Sequence, residues 1–310
     1  MGIVIGIDEA GLGPNLGPFV VTAVAWEVPG PAATCDLARE LAAVVTDDPA
    51  CADGRIVVAD SKRLFQPHHS LHGPERSVLS LLHSWRPRPR SLRELDDWLQ
   101  PSGCRCADPP WLSDRDLDLP LDVDPDAIAA AALRWRTAGV RIRHIESRIV
   151  QPAEFNRRLT ETGNKAAVTS QAHLDVLRST CRACDDGDVF VFSDKHGGRN
   201  GYGALLSAAW DGAWVDVLEE GPLLSRYRVD GVDLRFEPRA ERHLPVALAS
   251  MVSKYVREAH MRQFNRFWRE QLPDLRPTQG YPEDARRFAA DIADCQSGLG
   301  IAMEDLWRRK

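Results

Sequence analysis

The feature that most constrains the fold is an apolar run near the start of the chain that ends on two adjacent acids. Residues 3–7 read Ile-Val-Ile-Gly-Ile, which is typical of a strand buried on both faces. Asp8 and Glu9 follow directly, and a turn rich in glycine and proline comes next. Two carboxylates at the end of a buried strand are unfavourable unless a cation compensates them. The sequence therefore predicts a divalent-metal site of the kind that hydrolyses phosphodiesters.

Apolar strands alternate with helical segments along much of the chain. The predicted strands cover 3–7, 19–26, 55–59, 140–149, 189–192 and a hairpin over 224–237, and the predicted helices cover 36–45, 168–182 and a long segment from Leu244. Between the strand at 140–149 and the helix at 168–182, Asn164 and Lys165 are predicted to lie in a loop. This alternation indicates an α/β fold.

The domain organisation follows from composition. We predict one domain over the 310 residues, with residues 66–137 as an insertion or cap and residues 255–310 as a C-terminal helical extension. The insertion is rich in proline, histidine, arginine and aspartate, with short helices predicted at 75–84, 91–99 and 125–137. Its tryptophans are predicted to form a small core of the insertion itself rather than a base-stacking platform; they are Trp85, Trp98, Trp111 and Trp135.

Two further acids join the candidate metal site. Asp194 ends the predicted strand at 189–192, and Glu241 precedes the long helix. If these strands are neighbours in one sheet, the four carboxylates Asp8, Glu9, Asp194 and Glu241 could hold two Mg²⁺ or Mn²⁺ ions about 4 Å apart. Taken alone, Asp194 is more readily interpreted as an ordinary turn residue.

Four segments in order carry a resemblance to a known family. They are Gly6-Ile-Asp-Glu-Ala-Gly-Leu-Gly-Pro-Asn-Leu-Gly-Pro18, Asp60-Ser-Lys-Arg-Leu64, Ala247-Leu-Ala-Ser-Met-Val-Ser-Lys-Tyr-Val-Arg-Glu258 and Gln279-Gly-Tyr-Pro282. Together they resemble the motifs of the type 2 ribonucleases H (ribonucleases HII and HIII), as a divergent member with an insertion. The motifs fall within residues 1–65 and 140–290 and skip the insertion.

The resemblance implies a ribonuclease H-like fold, with a central mixed sheet flanked by helices and a C-terminal helical region. It also implies metal-dependent cleavage of the RNA strand of an RNA–DNA hybrid, leaving a 5′-phosphate and a 3′-hydroxyl. Asp8, Glu9, Asp194 and Glu241 match the family's metal-binding acids, and Arg239-Ala240-Glu241 resembles the Lys-Ala-Glu of ribonuclease HIII.

One departure from the family bears on the substrate. Ribonuclease HII reads a ribose at an RNA–DNA junction with a Gly-Arg-Gly loop, and here that loop is Gly11-Leu12-Gly13. Backbone groups at Gly11 and Gly13 can still approach a ribose, whereas Leu12 cannot make the guanidinium contact. Excision of a single ribonucleotide from DNA is therefore not expected to follow from the resemblance.

Further candidates for nucleic-acid contact come from the same motifs and from a basic loop. They are Gly11, Leu12, Gly13, Ser61, Lys62, Lys195, Arg199, Lys254 and Tyr281. The alternatives are structural: Ser61 shapes a turn, the loop with Lys195, His196 and Arg199 is merely solvated, and Tyr281 packs on the C-terminal helices. His243 and His260 are predicted to be structural.

Bulk properties limit the remaining classes of function. The net charge of −6 excludes a wholly basic nucleic-acid wrapper, although arginine clusters allow a local basic face. No signal-peptide or membrane-spanning pattern is present, so we expect a cytoplasmic protein, and a monomer. The seven cysteines argue against a full disulfide framework; Cys104/Cys106 with Cys181/Cys184 form a zinc site or, more simply, are reduced thiols.

Two other readings of function stay open at this stage. The first is a nuclease of the same fold that acts on a DNA junction or a structured RNA. The second is a non-catalytic nucleic-acid-binding protein whose insertion docks a partner.

Overall fold

The centre of the molecule is built from strands that a computed structural model places for residues 1–51, 53–59, 64–65, 70–101, 108–113, 116–184 and 187–309. In chain order the strands are β1 (Gly2–Ala10), β2 (Phe19–Val28), β3 (Val45–Thr46), β4 (Ile56–Val57), β5 (Arg141–Val150), β6 (Asp188–Asp194), β7 (Val215–Glu220), β8 (Ser225–Val229) and β9 (Val232–Glu237). All but β3 and β4 belong to one seven-stranded mixed sheet in the order β5-β2-β1-β6-β9-β8-β7.

The direction of the central strands brings three of their ends together. β1 pairs antiparallel with β2 and parallel with β6, and β6 pairs parallel with β9. The register sets Ile7 beside Ser193, and Asp194 beside Glu237. The carboxyl ends of β1, β6 and β9 therefore share one edge of the sheet.

Helices cover both faces of this sheet. They are α1 (Leu37–Glu40), α2 (His72–Trp85), α3 (Leu92–Leu99), α4 (Pro110–Ser113), α5 (Pro125–Arg136), α6 (Pro152–Thr162), α7 (Lys165–Ala183), α8 (Gly203–Ala209), α9 (Leu244–Gln271), α10 (Pro282–Gly298) and α11 (Met303–Leu306). Alternate side chains of β1 divide between two cores: Val4 packs with α2, α5 and α9, whereas Ile5 and Ile7 pack with α6, α7 and α8. Burial on both sides explains the unbroken apolar run.

The long helix α9 lies directly on β1. A Cβ atom at Gly6 would be only 2.1 Å from the backbone carbon of Pro245, so glycine is required for this approach. Two turns further on, the Ser253 hydroxyl donates to the carbonyl oxygen of Asp8 at 3.1 Å. The start of α9 is thus fixed against the strand that carries the first acids.

The predicted architecture is confirmed, with a central mixed sheet, helices on both faces and a C-terminal helical region. The predicted hairpins, the strand ending on Asp194 and the helix from Leu244 are all present. Among the described residues, no helix is long and apolar enough to cross a membrane.

Several element boundaries differ from the sequence prediction. The helix predicted over 36–45 is only α1, and the chain then enters β3. Asn164 caps α7 by accepting from the amide of Ala166 at 2.8 Å, so Lys165 begins this helix rather than lying in a loop. The elements α6, α8 and β7 were not predicted.

The tryptophans of residues 66–137 do not form a core of their own. Trp135 packs on Trp26 of β2, with ring centroids 5.9 Å apart, and Trp111 packs edge-on against Phe264 of α9 at 5.1 Å. That prediction is therefore wrong: these side chains reach the sheet and α9 because both offer apolar surface that would otherwise be exposed. The boundaries of the insertion and of the C-terminal extension stay predictions.

Candidate metal and nucleic-acid site

The four predicted acids come to the same edge of the sheet. Asp8 and Glu9 lie just before the end of β1, Asp194 is the last residue of β6, and Glu241 lies in a 3₁₀ turn between β9 and α9. Their carboxylates interact electrostatically, since Glu241 raises the pKa of each of the other three. The topology thus brings together residues that are up to 233 positions apart.

Asp8 is the most buried member of this carboxylate cluster, with an exposed fraction of 6%. Burial raises its pKa well above the ordinary value, and the charges of Glu9 and Glu241 raise it further. A hydrogen bond with Ser250 acts in the opposite direction. An ionised Asp8 is therefore unfavourable without a nearby cation.

Glu9 and Asp194 share this condition to different degrees. Burial, Asp194 and Glu241 raise the pKa of Glu9 to about 7. Burial also raises the pKa of Asp194, although this carboxylate accepts a hydrogen bond from the amide of Lys195 at 2.8 Å. The backbone amides of Arg239 and Ala240 also stabilise its charge, and Arg239 adopts a left-handed conformation with φ 60°.

A fifth acid at this edge has its negative charge compensated by cationic side chains of the protein itself. Glu237, at the end of β9, is more buried than any of the four, with 1% of its surface exposed. It accepts from Arg235 at 2.9 Å and from Arg242 at 2.6 Å, and it also pairs with His243. Although burial raises its pKa, the bonds from Arg235 and His243 lower it overall. Glu237 is therefore a structural ion-pair partner and does not belong to the carboxylate cluster.

Ser250 is a residue that sequence reasoning missed. It lies on the first turns of α9, is fully buried and donates to Oε1 of Glu241 at 2.7 Å, while its bond to Asp8 is the one already described. The signal was present, because the serine sits in the motif segment that resembles the family helix. Ser250 therefore links the first acid and the last.

The fit of divalent ions to the cluster rests on the chemistry of its donors. Oxygen ligands from carboxylates are those that Mg²⁺ and Mn²⁺ prefer, and the raised pKa values show that negative charge here lacks compensation. In the described ranges, however, no three His, Cys, Asp or Glu side chains already have an arrangement that could hold a metal ion. The four acids fit such ions by their oxygen donors and by their shared position at one edge of the sheet. Their side chains would have to move closer together to bind an ion.

The glycine-rich loop after β1 is held by distant parts of the chain. Gly11 has φ 86°, and a Cβ there would lie 2.6 Å from the Pro18 carbonyl oxygen. Arg308 donates to the carbonyl oxygens of Gly11 and Pro14, each at 2.5 Å. Tyr281 is 54% exposed, and its ring lies beside Gly13. The loop and Tyr281 therefore form one surface next to the carboxylate cluster.

The predicted basic contacts fare differently. Ser61 and Lys62 lie outside the described residues. Lys254 is on α9, one turn before Glu258. Burial raises the pKa of Glu258, and the charge of Lys254 partly opposes that rise. The ammonium of Lys195 donates to Gly221 O at 2.5 Å, to Ser225 Oγ at 2.9 Å and to Asn200 Oδ1 at 3.1 Å, which supports the structural alternative for this lysine.

Two histidines lie behind Glu9: His173, which sequence reasoning missed, and His196, which it placed in the basic loop after Asp194. His173 on α7 lies with Nδ1 3.9 Å from Glu9 Oε2, and its ring packs edge-on against His196 at 4.2 Å. Burial lowers the pKa of His173 well below its usual value and that of His196 to about 4. Both rings are therefore neutral at pH 7 and leave the charge of Glu9 uncompensated. The predicted structural role fits His243, which pairs with Glu237, and His260, which contacts Asp96 at 3.1 Å.

The cysteines give no support for a zinc site. Cys181 and Cys184 are buried near the end of α7, and burial raises the pKa of the Cys181 thiol. The zinc-site alternative stays untested, because the other two of its four cysteines are not described. Cys104 and Cys106 lie outside the described residues.

Comparison with known proteins gives similarity at the level of structure. No protein-family model matches the sequence, and neither does a curated protein. The chain is similar to a solved chain of the PCNA:RNase HII complex from Archaeoglobus fulgidus, at 17% identity and a TM-score of 0.48, over 99% of this chain and 94% of the other.

Two further solved structures are similar to the chain over most of its length. The ribonuclease H2 from Pyrococcus horikoshii OT3 is 13% identical with a TM-score of 0.48, over 98% of this chain and 92% of the other. Bst-RNase HIII in complex with Mn²⁺ is 14% identical with a TM-score of 0.43, over 99% of this chain and 66% of the other.

Proposed function

We propose that this protein is a divergent type 2 ribonuclease H, a metal-dependent endonuclease that cleaves the RNA strand of RNA–DNA hybrids. The observation that carries the proposal is the carboxylate cluster of Asp8, Glu9, Asp194 and Glu241 at one edge of the sheet. Burial and mutual repulsion raise the pKa values of its first three members. Glu237 is neutralised by arginines, whereas the carboxylate cluster is not. This contrast indicates that the negative charge of the cluster is compensated by a cation from outside the protein.

The cluster supplies ligands for two Mg²⁺ or Mn²⁺ ions. Bound there, such ions would activate a water for attack on phosphorus and stabilise the leaving 3′-oxygen. The protein's own part is to hold the acids: β1 and β6 fix the backbones of Asp8 and Asp194, and Ser250 orients Glu241. The surface formed by Gly11, Gly13 and Tyr281 would position the sugar next to the cut phosphate.

The substrate preference follows from the loop. Leu12 is 45% exposed where a Gly-Arg-Gly loop would present a guanidinium, so recognition of a lone ribose in DNA loses its charged contact. A continuous run of ribonucleotides offers several contacts in place of one. We therefore expect hybrids to be cut in preference to a single ribonucleotide.

The test is cleavage of labelled duplexes with Mg²⁺ and, separately, with Mn²⁺. One duplex pairs a run of ribonucleotides with DNA, a second contains one ribonucleotide in DNA, and duplex DNA and duplex RNA serve as controls. We expect cleavage of the hybrid, with 5′-phosphate products, and none by Asp8→Asn. Cleavage of the hybrid by Asp8→Asn at the wild-type rate would contradict the assignment.

The exposed Leu12 also favours a second candidate, a nuclease for another structured nucleic acid. Cutting of duplex RNA or of a DNA junction, with the hybrid left intact, would support it. Stabilisation of the fold by Mg²⁺ without cleavage of any of these duplexes would instead support the non-catalytic binder. For either activity we propose a cytoplasmic monomer.

A further inference from the structure

A cleft opens beside Glu9 on the α7 side of the sheet. Its volume is about 660 Å³, within the range of sites that bind one small molecule or nucleotide rather than a duplex. Glu9 lies at one end, and the walls come from the loop after β1, from the start of α7 and from the loop after β6. The cleft therefore adjoins the carboxylate cluster.

Lys165 stands on the α7 wall of this cleft. Its ammonium donates to the carbonyl oxygen of Leu12 at 3.0 Å, which holds a positive charge at the residue where the resembled loop would have an arginine. The sequence prediction did not single out Lys165 because it placed this residue in a loop.

Arg199 stands on the other wall. It follows Gly197 and Gly198, whose positive φ values of 57° and 78° turn the loop after β6 back toward the cleft. Within the described parts of the chain, its guanidinium has no hydrogen bond or ion pair to a side chain or carbonyl. Arg199 therefore differs from Lys195, whose ammonium is occupied inside the loop.

The surfaces between these cations suit a sugar. Leu12 and Ala166 provide apolar contact, and Thr169 provides a hydroxyl. Glu9 is the only acid among the described residues that line the cleft, and it is assigned to the metal ions. The cations of the lining, Lys165 and Arg199, are on the opposite walls.

We propose that this cleft binds one nucleotide of the cleaved strand, next to the cut phosphate, with Lys165 and Arg199 on either side of a backbone phosphate. This inference rests on the proposed function and adds to it: Lys165 takes over, by charge alone, part of the binding that an arginine in place of Leu12 would supply. Charge contact with phosphate does not distinguish ribose from deoxyribose, so it strengthens binding without restoring junction reading.

The test is binding of a labelled RNA–DNA hybrid in EDTA, measured by fluorescence anisotropy over a series of salt concentrations. The variants are Lys165→Gln, which keeps a donor for Leu12 but removes the charge, Lys165→Arg, which keeps the charge, and Arg199→Gln. The matched control is Arg141→Gln, because Arg141 is an exposed arginine paired with Glu27 at the opposite end of the sheet.

We expect Lys165→Gln and Arg199→Gln each to weaken binding about five- to tenfold and to reduce the slope of log affinity against log salt by about 0.9. Lys165→Arg and Arg141→Gln should keep the wild-type slope. In cleavage assays the two charge-removing variants should raise KM and leave kcat within about twofold.

Two results would overturn the inference, and they are distinguishable. If the wild-type enzyme cleaves the hybrid but Lys165→Gln and Arg199→Gln bind like Arg141→Gln, the cleft is not a phosphate site and the proposed function stands. If the wild-type enzyme neither binds nor cleaves the hybrid, the proposed function fails and the inference fails with it.

Discussion

At the scale of single residues, the carboxylate cluster is a place where folding and function oppose each other. Asp8 and Glu9 are held in a buried strand whose neighbours supply apolar contact but no counter-charge. The strand gains stability from Ile5 and Ile7, and part of that gain is offset by the acids at its end. Functional sites commonly carry strain of this kind.

The first prediction concerns Glu9→Gln. Because the folded-state pKa of Glu9 is about 7, against 4.5 ordinarily, the folded protein binds the extra proton between these values and wild-type stability falls as pH rises through that window. The variant escapes this loss. We expect its free energy of unfolding in EDTA to exceed that of wild type by about 1–2 kcal/mol at pH 8 and to match it near pH 4, with cleavage abolished.

Urea unfolding at the two pH values measures this difference. Asp274→Asn, in an exposed turn after α9, is the matched control and should change stability little at either pH. A variant less stable than wild type at pH 8 would show that Glu9 is compensated within the protein.

How far the site could be predicted depends on what each residue shows in the sequence. Asp8 and Glu9 stood out because an unbroken apolar run precedes them. Asp194 and Glu241 were picked out by their places at a strand end and before the long helix, and the resemblance then matched them to the family's acids. His173 could not be found, since a histidine on a helix shows no sign of the acid it will face. The contact with Glu9 exists only because α7 packs across β1.

At the scale of elements, the connection from β9 through the 3₁₀ turn to α9 sets the position of Glu241. Glu237 ties this connection together by binding Arg235 from its own strand, Arg242 from the turn and His243 at the start of α9. Ordinary ion pairs thereby position a residue of the proposed metal site.

The second prediction is that Glu237→Gln destabilises the fold. The folded-state pKa of Glu237 is lowered, so its contribution is present above the unfolded-state value and is lost as pH falls through the folded-state value. We expect a loss of about 1–3 kcal/mol at pH 7 that shrinks toward pH 3, measured by thermal unfolding. Asp233→Asn removes the exposed pair with Arg228 on the same strand and should lose less than about 1 kcal/mol. Equal losses at pH 7 and pH 3 would contradict the ionic role.

The third prediction concerns the approach of α9 to β1. In Gly6→Ala the new methyl would meet the backbone of Pro245, which cannot rotate away, so we expect a loss of about 3 kcal/mol or more. Gly139→Ala is the control, because no atom lies within 4 Å of the Cβ it would add. Chemical denaturation of both variants measures the difference, and a Gly6→Ala protein as stable as Gly139→Ala would show that the helix can shift.

Two of the elements missed from the sequence, β7 and α8, share a physical cause. β7 has almost all of its side chains exposed, including Val217 and Leu218, so it lacks the alternating burial that marks a strand. The helix α8 has seven residues and only Leu206 fully buried. Both are stabilised by pairing and packing with elements that are read later in the chain, which no local pattern reveals.

At the scale of the whole molecule, residues 66–137 contribute to the main core. Trp135 rests on Trp26 and donates its indole N–H to Ser80 Oγ at 3.0 Å, which joins α5, α2 and β2. Tyr255 of α9 donates to Glu75 of α2 at 2.7 Å. The helices of this segment therefore stabilise the face of the sheet on which α9 lies.

The fourth prediction is that Trp135→Ala weakens the sheet as well as the helices. Removing a buried indole should lower the free energy of unfolding by about 3–5 kcal/mol, and amides of β1 and β2 should lose hydrogen-exchange protection together with those of α2 and α5. Trp214→Ala is the matched control, because Trp214 is 84% exposed. Loss of protection in α2 and α5 alone would mean that the segment unfolds independently.

The hydrogen bonds from Arg308 to the loop at Gly11 have a consequence for how this loop is shaped. Asn15 and Arg308 are joined by reciprocal bonds, Nδ2 to the Arg308 carbonyl at 3.0 Å and the Arg308 amide to the Asn15 carbonyl at 2.7 Å, across 293 positions of sequence. The loop at Gly11 therefore takes its shape from a residue near the other end of the sequence, whereas the seven strands of the main sheet and the four acids all lie within residues 2–241.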